Sequence, residues 1–92
     1  MTKQEFLRKM ELEKPLKDSL VTIEVNELID SPYIFGCYEE NGIWRVYETK
    51  ERGGYYIVKD FNNENEAYDF LYQVVYNEKK TDDYIKAHRY KE

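Results

Sequence analysis

Ninety-two residues with 41% hydrophobic and 16% aromatic side chains make one folded domain, 1–92, near the size at which a single core just supports folding. The single cysteine excludes an internal disulfide, and a formal charge of −5 weighs against phosphate-backbone binding, which relies on Lys and Arg. With no leader-like start and no apolar run of about 18 residues, the expected setting is a soluble cytoplasmic protein.

Thr2 and Glu5 have the spacing of a capping box, and Phe6, Leu7 and Met10 share one side of a short helix that Pro15 must end. Residues 16–32 carry two patterns. The alternation over 21–26 suits a strand, yet Val21, Val25, Leu28 and Ile29 match a helical i, i+4, i+7, i+8 spacing. Length and the Ser31-Pro32 stop favour a helix, which is the expectation taken here.

Three segments rich in Tyr, Ile, Val, Phe and Trp follow, at about 33–39, 43–49 and 55–61, and are read as an antiparallel three-stranded meander. Asn41-Gly42 suits a two-residue type I′ turn, in which both residues take positive φ. That turn sets Glu40 opposite Ile43, Glu39 opposite Trp44, Cys37 opposite Val46 and Phe35 opposite Glu48. One face then carries Phe35, Cys37, Trp44 and Val46. The other carries Ile34, Gly36, Tyr38, Arg45, Tyr47 and Thr49. A second turn at Gly53-Gly54 would add Ile57 and Phe61 to the first face, add Tyr56, Val58 and Asp60 to the second, and set Lys59 opposite Glu48.

Asn62 and Asn63 are N-cap residues, and Glu66 stands three after Asn63. Ala67, Phe70, Leu71, Val74 and Val75 recur at helical spacing, with Tyr68, Tyr72 and Tyr76 in a neighbouring row. An amphipathic helix over about 63–78 is expected to cover the Trp44 face. Thr81-Asp82-Asp83 then reads as the start of a short last helix carrying Tyr84, Ile85 and His88. The fold class is α+β: a helical segment, the meander, the amphipathic helix and a short C-terminal helix.

Charge is unevenly spread. Residues 18–48 hold seven acids against Arg45, and residues 60–78 hold five acids and no base. Such blocks either solvate a surface or complement a basic partner. Chemistry has little to stand on. His88 is the sole histidine and Cys37 the sole thiol, so no His cluster exists for a metal. A Cys37–His88 nucleophile–base pair would need a core residue and a tail residue to meet. Gly53-Gly54 lacks the lysine-and-hydroxyl continuation of a phosphate loop, and Glu39 and Glu40 point to opposite faces of a strand. No catalytic site, cofactor or metal is expected. Trp44 is a core anchor or, if exposed, a hot spot; Arg45 between Tyr38 and Tyr47 is either cross-strand packing or an interface patch.

The run Phe35-Gly36-Cys37-Tyr38-Glu39-Glu40-Asn41-Gly42-Ile43-Trp44-Arg45-Val46-Tyr47-Glu48-Thr49, then Glu51-Arg52-Gly53-Gly54, then Asn65-Glu66-Ala67-Tyr68-Asp69-Phe70-Leu71-Tyr72, resembles small immunity proteins of bacterial polymorphic-toxin systems, including contact-dependent growth inhibition. The likeness covers about half of the chain, residues 34–76. It implies a cytoplasmic, non-enzymatic protein that binds a cognate toxin domain, often a nuclease, and blocks it. Membranes and nucleic acid are not expected partners. The expected electrostatic contacts are Glu39, Glu40, Glu48, Asp60, Glu64 and Glu66, with Tyr38, Tyr47, Tyr56 and Arg45 as anchors. Two other readings stand beside this one. Helix, three strands and helix is also the order of a double-stranded-RNA-binding domain, and the tyrosine face also suits an adaptor or dimerisation module.

Overall fold

Asn41 and Gly42 take φ of 55° and 80°, the two positive values that a tight hairpin turn requires, and the Glu39 carboxylate accepts a 2.6 Å hydrogen bond from the Gly42 amide. The strands on either side pair as the turn dictates, with Cys37 opposite Val46 and Phe35 opposite Glu48. The computed structural model describes residues 1–89. Its elements are α1 (Lys3–Glu13), β1 (Thr22–Glu24), β2 (Ile34–Glu40), β3 (Ile43–Thr49), β4 (Tyr55–Phe61) and α2 (Glu64–Arg89). The sheet has four strands in the order β1-β2-β3-β4 and is mixed: β1 runs parallel to β2, and the rest is antiparallel.

Thr2 and Glu5 form the capping box at the start of α1, and Lys14 ends the helix in the left-handed region just before Pro15. On the other side of the chain, the Asn63 side chain accepts from the Glu66 amide at 2.9 Å and caps α2. The two helices pack against each other, and α2 lies across β2, β3 and β4. Between them sits the core of Phe6, Val25, Cys37, Val46, Ala67, Tyr68, Leu71 and Val75. Trp44, Phe61 and Phe70 pack at its margin, half-buried.

Several expectations are corrected. Residues 16–30 are not helical. Thr22, Ile23 and Glu24 lie beside Ile34, Phe35 and Gly36, because the free edge of β2 supplies a hydrogen-bonding partner that suits β-branched residues. Parallel neighbours need a crossover, and here the segment 25–33 makes it without a helix: Val25 and Asn26 lie on the α2 side, and the chain from Glu27 to Ile29 passes over the sheet face that α2 leaves uncovered. The second turn is also longer than two residues. The Lys50 and Gly54 backbones close it, with positive φ at Gly53 and Gly54.

A β-bulge then leaves Val58 without an opposite residue, so Lys59 faces Val46 rather than Glu48. This reverses the alternation in the first half of β4. Ile57 falls on the Tyr47 side, Tyr56 faces Glu48 on the helix side, and Val58 packs against the core; Phe61 and Asp60 keep their expected faces. Finally, α2 does not break near residue 78 to leave a separate short C-terminal helix. It runs for 26 residues, since no Gly or Pro stops it. The Thr81 hydroxyl bonds back to the Asn77 carbonyl at 3.0 Å, and Lys79 pairs with Asp83 at 2.8 Å. Among the described residues no helix is long and apolar enough to cross a membrane.

Candidate partner-binding surface

Local pairing decides where each candidate side chain points. On the face away from α2, Tyr38 lies opposite Arg45, and Arg45 lies opposite Asp60, so the three form one row across three strands. The Arg45 Nε is 3.9 Å from an Asp60 carboxylate oxygen, and it is a buried atom with no hydrogen-bond partner. Glu40 is exposed at the end of β2, next to this row.

Tyr47 departs from its assigned role. Its side chain is fully buried, because the crossover 25–33 lies over it. The hydroxyl donates to the Glu27 carbonyl at 2.9 Å and accepts from the Ile29 amide at 3.1 Å. Burial raises its pKa. Tyr47 is therefore a structural residue and not a contact. Tyr38 meets it edge-on, with ring centroids 5.8 Å apart, and remains half-buried.

On the α2 side, Glu39, Trp44 and Glu64 line an open groove of about 350 Å³, together with Lys3 and Asn26. The acids here are engaged within the chain. Glu39 holds the hairpin turn, and Glu64 accepts from the Lys3 amide at 2.7 Å. Lys3 Nζ donates to the Asn26 side chain. Glu66 is exposed on the other side of α2, near Phe61 and Phe70, whose rings lie beneath the Lys59 ammonium. Glu48 and Tyr56 sit together further along the sheet. The Tyr56 hydroxyl donates to Glu48 at 2.9 Å, and that bond raises the tyrosine pKa.

The ten candidates thus do not form one patch. Glu39, Glu40, Asp60, Glu64 and Glu66 converge on one end of the molecule, where the hairpin tip meets the start of α2; the pairing of Trp44 with Phe61 holds these segments together. Glu48, Tyr56 and the buried Tyr47 lie away from it. Two exposed or half-exposed side chains on the uncovered face were missed, Tyr55 and Ile57. The bulge that turns Ile57 outward has no local signature in the sequence. Tyr47 left a clue: its partner in the hairpin register is Gly36, and a glycine across from a large ring marks a ring folded over the strand.

Reactive chemistry is sparse. Cys37 is completely buried, and burial pushes its thiol up to about 11, which keeps it protonated at neutral pH. The side chain of His88 lies outside the described residues. Among the described residues no group of three His, Cys, Asp or Glu side chains is placed to hold a metal. Comparison with protein-family models, curated proteins and solved structures gives no match.

Proposed function

We propose that this chain is an immunity-type inhibitor: it binds a cognate bacterial toxin domain, a nuclease, and neutralises it by steric and electrostatic occlusion without chemistry of its own. The observation that carries this reading is the convergence of Glu39, Glu40, Asp60, Glu64 and Glu66 on one rigid end of the fold. A nuclease must present cations to its substrate backbone, and a carboxylate-lined surface on a rigid sheet competes for those cations and speeds encounter. The start of α2, where an RNA-binding helix would offer lysines, offers Glu64 and Glu66 instead, which favours a basic protein over a phosphate backbone.

Co-expression tests the reading directly. The neighbouring gene should encode a large secreted protein, and its variable C-terminal domain is produced in a bacterial host with and without the chain. Growth arrest that the chain relieves, together with a 1:1 complex on gel filtration, is the expected result. Undiminished arrest with well-folded inhibitor present would refute it.

A further inference from the structure

The acidic end has two flanks, the open sheet face and the groove beside α2, and they are not equivalent. In the groove the polar groups already have partners: Glu39 the Gly42 amide, Glu64 the Lys3 amide, and Lys3 Nζ the Asn26 side chain. A partner docking there would have to displace bonds the fold uses. On the sheet face, Arg45 Nε is shut from water with no acceptor, and Asp60 stands 3.9 Å away, beyond hydrogen-bond reach. The Arg45 side chain is 35% exposed, and that exposure belongs to the rest of the side chain. A buried donor without a partner is costly and gains from any shift that supplies one.

Tyr38 beside it is pre-set. Its ring leans edge-on against Tyr47, which is itself held by two hydrogen bonds to the crossover, so little side-chain freedom is left to lose on binding. Tyrosine and arginine at the centre with acids around them is the make-up of a binding hot spot and its rim.

We infer that the hairpin end of the uncovered sheet face, made of Tyr38, Glu40, Arg45 and Asp60, is the surface on which the toxin domain docks. It takes a cationic strip of a folded protein, with lysine or arginine side chains against Glu40 and Asp60 and a carbonyl or carboxylate acceptor for the Arg45 guanidinium. This rests on the toxin-neutralising reading and assigns the face that reading leaves open. The row Tyr38–Arg45–Asp60 lies on three hydrogen-bonded strands, so the surface is rigid before it meets its partner.

Surface-plasmon kinetics with the neighbouring toxin domain test the assignment at low and physiological salt. Tyr38→Ala should weaken binding about thirtyfold or more, mainly through faster dissociation. Asp60→Lys should slow association and flatten its salt dependence. Glu11→Lys, an exposed position on α1 outside the acidic end, should stay within about twofold of wild type. Melting curves confirm that each variant is folded. If wild type binds while Tyr38→Ala and Asp60→Lys bind equally well, or if Glu11→Lys is the variant that fails, the docking face is wrong although the function stands. If wild type neither binds nor protects, the function itself is wrong. A separate arm needs no toxin: deca-arginine titrated into ¹⁵N-labelled protein should shift the amides of 38–40, 43–45 and 57–60. Shifts confined to the start of α2 and the groove would overturn the assignment.

Discussion

Gly36 lies directly across from Tyr47, and a Cβ added there would stand 2.3 Å from the tyrosine ring. The ring cannot step aside, because its hydroxyl is fixed to the crossover at Glu27 and Ile29. Gly36→Ala should therefore cost about 1–3 kcal/mol of stability through overpacking, measurable by urea denaturation. Tyr47→Phe keeps the ring and removes the hydroxyl. It leaves the Ile29 amide and the Glu27 carbonyl short of a partner, and about 1–3 kcal/mol should be lost. Both changes act first on folding; because Tyr38 leans on the Tyr47 ring, their effect on affinity for the proposed partner should be small beside that of Tyr38→Ala at temperatures where the protein remains folded. In the main core, Leu71 is fully buried, and Leu71→Ala should cost about 2–5 kcal/mol by the same assay.

The helix α1 leans on α2 at its C-terminal end. It carries no base in its last turn, where the helix dipole favours one, and ends on Glu13 instead. The tertiary fold supplies the reason. The Tyr72 hydroxyl of α2 donates to the Glu13 carboxylate at 2.7 Å, and the Tyr76 hydroxyl donates to the same oxygen. The Tyr76 bond first, and the Tyr72 bond after it, hold the Glu13 pKa below its ordinary value. A carboxyl with a lowered folded pKa adds stability above its unfolded pKa and loses it as pH falls through the folded value. Wild type should accordingly melt higher than Glu13→Gln near neutrality, and the gap should close as pH falls through and below the ordinary carboxylate range. A gap that persists unchanged to low pH would mean that it does not arise from the ionised Glu13 carboxylate.

For the whole molecule, the arrangement that matters is one covered and one half-covered sheet face. The helix α2 seals the first; the crossover 25–33 seals only the part of the second that lies over Tyr47. What remains open is the hairpin end, and the fold brings the acidic start of α2 to that same end through the pairing of Trp44 with Phe61. Burial of Cys37 beneath α2 gives a readout of this arrangement. A thiol reagent at mildly alkaline pH should modify the native protein far more slowly than the urea-unfolded chain, since the thiol is enclosed and held protonated.

The elements that the sequence determined by itself are those governed by neighbours along the chain. Thr2 with Glu5 placed the start of α1. Asn63 placed the start of α2, and Asn41-Gly42 set the register of the first hairpin, pair by pair. Each depends on contacts within about four residues, which the residue types alone specify. The pairing of Tyr38 with Arg45 was legible for the same reason. The parallel strand at residues 22–24, the bulge at Val58 and the continuation of α2 past Lys80 were not. The segment 16–30 carried both periodicities, and only the free edge of β2 decided between them. Tyr47 changed from anchor to core because a segment about eighteen residues earlier in the chain lies over it. Burial of that kind is a property of the assembled sheet, where a segment distant in sequence competes with water for the same face, and no local pattern encodes which one wins.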